Sequence, residues 1–238
     1  MKRILFSFLL VLSASVIHAQ KQFVIDANAE MRTIGASFNT IKVSGGIDLY
    51  LSQSDEEAVA VSASEEKYKN NIKTVVENHT LKIYYEGEKW WGRNKKMVVY
   101  VSFMNLEKLD ASGASDIRVT GVIKAPALKM ILSGASDFQG AVMVTTLNMD
   151  LSGASDVKIS GTATNLSIES SGASDVKGYD LVTDICSAKA SGASDINITV
   201  NKELNAHASG ASNIYYHGSG VIKDIESNGA SSVGKKGS

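Results

Sequence analysis

Five aspartates stand at near-equal steps along the second half of the chain: Asp116, Asp137, Asp156, Asp175 and Asp195. Carboxylates repeated at a fixed period are a pattern with which aspartate-rich β-roll repeats hold calcium, a hard cation that takes oxygen ligands. Aspartate also closes turns, by accepting hydrogen bonds from nearby backbone amides. Arg118, Lys158 and Lys177 follow two positions after three of these carboxylates and can neutralise them. Repulsion between carboxylates about 5 Å apart in water is only about 1 kcal/mol. Turn-capping therefore explains the column without a metal and is the expectation, with calcium as the alternative. No cofactor is expected.

Other chemistry is sparse. The stretch Gly87–Lys96 holds both tryptophans and several cations, which makes Trp90, Trp91, Arg93, Lys95 and Lys96 the candidate ligand-binding residues. Aromatic rings beside cations can stack on sugars or grip an acidic polymer. The plainer alternative is a hairpin tip whose tryptophans fold back over an apolar face. Asp150 and Glu169 resemble a glycosidase acid pair, but Lys189 and His207 continue their column as an ordinary solvated face would. Cys186 falls in a column of leucines and reads as a small core residue rather than a reactive thiol. His79, His207 and His217 have no adjacent nucleophile. No phosphate-cradling glycine loop, zinc-type Cys/His pairing or nucleophile elbow is present. No catalytic residue is assigned.

The elements that must position these residues come from a repeat. Ser-Gly-Ala-Ser-Asp begins at Ser112, Ser133, Ser152, Ser171 and Ser191, changes to Ser-Gly-Ala-Ser-Asn at Ser209 and ends as Asn-Gly-Ala-Ser-Ser at Asn228. The steps are 21, 19, 19, 20, 18 and 19 residues. A period of this length means stacked units. Before each motif, apolar residues alternate with polar ones, as in Leu147-Asn148-Met149-Asp150-Leu151, the signature of a strand with one buried face. Apolar residues resume at the fifth position beyond the first serine, from Ile117 and Phe138 to Val233. Counting the motif alanine as inward leaves an odd step before that position. A corner at Ser-Asp is the expected cause, with alanine stacked on alanine along an inner edge and serine on serine as a hydroxyl ladder. The less regular last copies are expected to cap the stack.

Residues 26–104 lack the full motif but still read as strands, and Ser44-Gly45-Gly46-Ile47-Asp48 resembles a worn copy of it. The chain opens with Lys2 and Arg3, an apolar run Ile4–Leu12 and a cleavage-like Ile17-His18-Ala19, the pattern of a secretory signal. No later run is long enough to span a bilayer. Without Lys2 and Arg3, 22 of the 24 basic residues remain against 25 acidic ones, which gives no footprint for nucleic acid. The organisation expected is a signal peptide (1–19), an extension (20–33), one domain (34–233; irregular over 34–104, regular over 105–233) and a polar tail (234–238). The fold class is all-β, a parallel β-helix with repeats of about 19 residues turning at the motif.

The opening Phe38–Leu51 and the run of Leu-x-Met-x-Leu-Ser-Gly-Ala-Ser-Asp-Val units resemble the head GIN domain family, whose members carry the label auto-transporter adhesin. The resemblance covers nearly all of residues 34–233. It implies a right-handed parallel β-superhelix with the glycine motifs at tight turns. It further implies export in Gram-negative gut bacteria and a pectin-lyase-like shape without catalytic residues. The expected function is an exported, non-enzymatic protein of the periplasm, outer surface or medium that binds a glycan, a cell-surface protein or another surface. The alternatives are a structural protein self-assembling through its terminal coils as a homo-oligomer, or a polysaccharide-degrading enzyme.

Overall fold

Each motif glycine, from Gly113 through Gly134, Gly153, Gly172, Gly192 and Gly210 to Gly229, has a φ between 76° and 85°. L side chains disfavour this left-handed region. Stacking adds a second demand: a Cβ on Gly134 would come within 2.5 Å of the Gly113 carbonyl oxygen. The glycines can therefore stack directly, and the alanine after each binds the coil before it. Ala135 N donates to Gly113 O, and Ala211 N to Gly192 O, both at 2.7 Å.

The computed structural model describes residues 26–87 and 96–237. Its strands are β1 (Glu30–Arg32), β2 (Thr40–Val43), β3 (Asp48–Gln53), β4 (Ala58–Ala63), β5 (Ile72–Glu77), β6 (Thr80–Tyr85), β7 (Met97–Phe103) and β8 (Lys108–Ala111). The long β9 (Asp116–Leu132), β10 (Asp137–Leu151), β11 (Asp156–Ser170), β12 (Asp175–Ala190) and β13 (Asp195–Gly210) follow. β14 (Asn213–His217), β15 (Val221–Gly229) and β16 (Ser232–Lys235) complete the set, and one helix, α1 (Glu66–Asn71), precedes β5. From β9 to β14 every strand pairs in parallel with its equivalent in the next coil, and β15 and β16 form the last of these coils. This is the parallel β-solenoid expected from the period.

The uneven repeat lengths are absorbed by β-bulges. Asp156 pairs with Asp175, an offset of 19, but Gly161 pairs with Leu181, an offset of 20, with the register shift between. An extra residue inserted there bends the strand without disturbing the turn columns.

The motif faces the opposite way from the expectation. Its alanine is exposed in every copy, and its second serine is buried in the first six: Ser115, Ser136, Ser155, Ser174, Ser194 and Ser212 are all 0% exposed. Counted from the serine, alternation runs unbroken into Ile117 or Phe138, so the odd step disappears. Burying a hydroxyl requires a partner. Ser136 Oγ donates to Ser133 O at 3.0 Å, Ser155 Oγ to Ser152 O at 3.1 Å and Ser212 Oγ to Ser209 O at 2.8 Å. The serine, not the aspartate, closes the turn. In these bonds the hydroxyls meet carbonyls rather than one another, so they do not form a ladder.

One apolar core runs from Phe38 to Tyr216, built of columns such as Leu128, Leu147, Leu166, Cys186 and Leu204, all 3% exposed or less. Each fully buried aliphatic side chain contributes about 1.5–3 kcal/mol.

The worn copy stacks where its residues place it. Ser112 N donates to Val43 O at 3.0 Å, Ile47 takes the inward position of the serine, and Ile47 N meets Ser115 Oγ at 3.4 Å. β2 and β3 form a coil that lies between two others: β2 pairs with β6 and β8, and β3 with β7 and β9. The outer coil, β6 and β7, is then covered by strands running the other way: β5 antiparallel on β6, β4 antiparallel on β7 and β1 antiparallel on β4. Asn78 and His79, both at positive φ, make the tight hairpin turn between β5 and β6. The C-terminal end differs. All nine residues of β15 are exposed, so the last copy does not cap the stack as expected.

Candidate binding surface

The outward residue two positions after each motif aspartate forms a second column beside the first. Register pairs link Tyr100 to Tyr50, Tyr50 to Arg118, Arg118 to Gln139 and Gln139 to Lys158. The column continues through Lys177 and Asn197 to Tyr215. In-register parallel strands lie about 4.8 Å apart, so this is a straight ladder with aromatic rings at both ends and hydrogen-bonding side chains between. The Tyr50 and Tyr100 rings stack with centroids 5.3 Å apart, and the Arg118 guanidinium lies 5.8 Å from the Tyr50 centroid. At the far end Lys236 Nζ sits 4.0 Å over Tyr215, and beside it Tyr179 and His217 stack at 4.0 Å. A shallow groove of about 520 Å³ lies elsewhere, along the column Asp150, Glu169, Lys189 and His207. A second, of about 460 Å³, runs along the ladder between Tyr50 and Lys158.

Burial and like charge set the electrostatics of the ladder's edge. Asp48 extends the aspartate column by one coil, and burial together with the neighbouring Asp116 carboxylate raises its pKa above the ordinary range. For Arg118, burial opposes the charge, but Tyr50, Asp116 and Asp48 outweigh it and hold the guanidinium protonated. Burial also raises the phenols of Tyr100 and Tyr179.

The aspartates of the repeat are engaged singly rather than in clusters. Asp116 pairs with Arg118 at 3.2 Å, Asp137 accepts the Asp156 amide at 3.2 Å, Asp156 lies 3.7 Å from Lys177, and Asp195 accepts Asn213 Nδ2 at 2.8 Å. Among the described residues, no group of three His, Cys, Asp or Glu side chains converges as a metal site.

Asp150 and Glu169 are in register on neighbouring coils, but Asp150 holds Lys129 at 2.8 Å and Glu169 holds Lys189 at 3.1 Å. His207 is bracketed by Asp224 at 3.3 Å and Glu226 at 3.1 Å. Each member of the acid pair is thus held by a lysine of its own. Cys186 is 0% exposed and its thiol is pushed up to about 12 by burial, so it is a packing residue.

Of the candidate loop, Trp90, Trp91, Arg93 and Lys95 lie outside the described residues; Lys96 is exposed, and its carbonyl accepts the Ser64 amide at 2.9 Å. The aspartate positions do share one face. What sequence reasoning missed is the aromatic ends of the neighbouring column, because Tyr50 and Tyr100 belong to it only once the pairing of β3 with β7 and β9 is known. Arg118, Lys158 and Lys177, already singled out as neutralising partners, were the signal that could have led there.

Comparison with known proteins agrees with this architecture. A putative adhesin from Bacteroides fragilis superposes with a TM-score of 0.82 at 21% identity, over 87% of this chain and 96% of that one. A putative adhesin from Parabacteroides merdae gives 0.66 at 17% identity, over 89% and 98%. A putative lipid binding protein from Parabacteroides distasonis gives 0.65 at 19% identity, again over 89% and 98%. At these identities the likeness speaks for the fold alone. No curated protein matches the chain. Among the described residues, no helix is long and apolar enough to cross a membrane. The family described as "Putative auto-transporter adhesin, head GIN domain" matches residues 37–220, and the chain belongs to that family.

Proposed function

We propose that this chain is an exported, non-enzymatic adhesion module that grips an extended glycan along the ladder from Tyr50 to Tyr215, with buried Tyr100 backing the Tyr50 ring. The observation that supports it most is the in-register run of rings, guanidinium, amide and ammonium groups on one straight face. Its step of about 4.8 Å per coil is comparable with the advance per sugar ring in an extended polysaccharide. Successive coils can then meet successive sugars with the same chemistry. With their faces taken by Tyr100, Arg118 and Lys236, Tyr50 and Tyr215 offer their outer edges and hydroxyls to the sugars, and Gln139 and Asn197 meet further hydroxyls. Trp90 and Trp91, in the stretch that precedes β7 in sequence, belong to this reading as further glycan contacts. The signal-like N-terminus supports export.

A glycan array probed with the purified protein, with and without calcium, tests this. The expected result is a saturable polysaccharide hit that survives chelation and releases no new reducing ends. Tyr50→Ala and Tyr215→Ala should each weaken it about tenfold, the loss of about 1.4 kcal/mol of contact with the ring edge and hydroxyl. Undiminished binding in both variants would remove the ladder from the function. New reducing ends would make the protein an enzyme, and loss on chelation would return the aspartate column to consideration.

A further inference from the structure

The open end of the stack is a self-complementary edge. β15 pairs with β13 on one side, and among the described residues no strand pairs with its other edge. An unpaired, apolar edge is a template for another strand. Here Val221 is 61% exposed, Ile222 37% and Ile225 47%. Ile222 and Ile225 stand in register with buried Leu204 and Ala206, so they belong to the inward columns. Asp224 and Glu226 follow outward Asn205 and His207, and Lys223, the extra residue at a bulge, reaches outward to Glu203 at 3.7 Å.

We infer that this edge is covered by a second copy of the chain, with β15 antiparallel to β15 about a two-fold axis between Lys223 and Asp224. Residues directly opposite in an antiparallel pair share a face. In this register Ile222 meets the second copy's Ile225, inward against inward. Lys223 meets the second copy's Asp224, and Val221 the second copy's Glu226, outward against outward. Neighbouring registers fail on charge or facing. Centring on Lys223 or on Asp224 sets like charges opposite each other, and centring between Asp224 and Ile225 sets an outward residue against an inward one. The coils stack along the solenoid axis, so the two molecules extend away from the junction in opposite directions. The pairing is isologous, so each copy uses its only β15 edge and assembly stops at the dimer. The dimer carries two ladders, which strengthens attachment to a repetitive surface by avidity, although the interface itself does not depend on what the ladder binds.

Analytical ultracentrifugation of the exported chain over a concentration series tests this. The wild type should be a reversible dimer. Lys223→Asp and Asp224→Lys each set like charges across the two-fold axis and should be monomers, with unchanged circular dichroism because both side chains are exposed. Mixed one to one, the two variants present Asp against Lys at every crossing, and the dimer should return. A monomeric wild type, variants that dimerise like the wild type, a mixture that stays monomeric, or open-ended fibres would each overturn the inference.

Discussion

At the N-terminal end of the solenoid the chain reverses direction, whereas at the C-terminal end the described strands keep one sense. Both ends present the same physical problem: a coil whose backbone groups and inward side chains have a neighbour on one side only. At the first end, antiparallel β5, β4 and β1 are laid over the outer coil, and Val59, Val61 and Ile72 close the core beneath them. At the second, β15 and β16 continue the parallel stack with no strand beyond among the described residues, and the aliphatic residues of β15 stay exposed. Parallel stacking alone propagates a surface without ending it. Closure takes strands of opposite sense, and among the described residues only one end contains them.

Substitutions that place the same change at the middle and at the open end test that contrast. The largest effect is expected at the motif glycines. Gly192→Ala forces a left-handed alanine and sets its Cβ about 2.5 Å from Gly172 O, with another coil stacked on the far side. A loss of about 3–5 kcal/mol in chemical denaturation is expected. Gly229→Ala meets Gly210 O at 2.8 Å in a coil with nothing beyond it, which can shift. About 1–2 kcal/mol is expected there, the left-handed penalty alone. Equal losses would mean that the last coil is held as firmly as the interior.

Next in size is the buried serine. Ser155→Ala removes a hydroxyl from a fully buried site and leaves the Ser152 carbonyl without that donor, and should cost about 1 kcal/mol. Ser231→Ala loses a similar bond to Asn228 O at 2.9 Å in a solvated coil and should change the melting temperature less.

The smallest effect concerns charge near the closed end. Asp48 ionises less readily in the fold than in the unfolded chain, because it is buried and faces Asp116. Its ionisation at neutral pH therefore destabilises the fold, and that penalty disappears as pH falls through its raised pKa. Asp48→Asn should melt higher than the wild type at pH 7, and the gap should close below the ordinary carboxylate range. Near the open end the column changes to Asn213 and Ser232, so no matching gain is available there.

Much of this architecture was legible in the residues. The period and the alternating columns required stacked parallel strands, and Ser44–Asp48 placed a further coil before the first full motif. The motif's facing was not legible, because hydropathy ranks alanine as the inward residue. It cannot show that a serine bonded to the carbonyl three residues back is a satisfied core residue. Nor could alternation reveal that the coil of β2 and β3 becomes interior when the chain turns back to build the outer coil. That depends on which strands pair, and the pattern is silent about pairing order. The aspartate column and its basic neighbours were readable as one face, whereas the Tyr50–Tyr100 stack depends on that same hidden pairing.

The sandwiched coil also has a mechanical consequence. A tension applied through the C-terminal tail acts along the stacking axis, and the hydrogen bonds of β16, then β15, would break one after another, like a zipper. A pull from Asp26 first meets β1, held against β4, and behind it a coil clamped between two others, which cannot leave until its outer neighbour has gone. The fold is therefore a ratchet under load, yielding gradually from one terminus and resisting from the other.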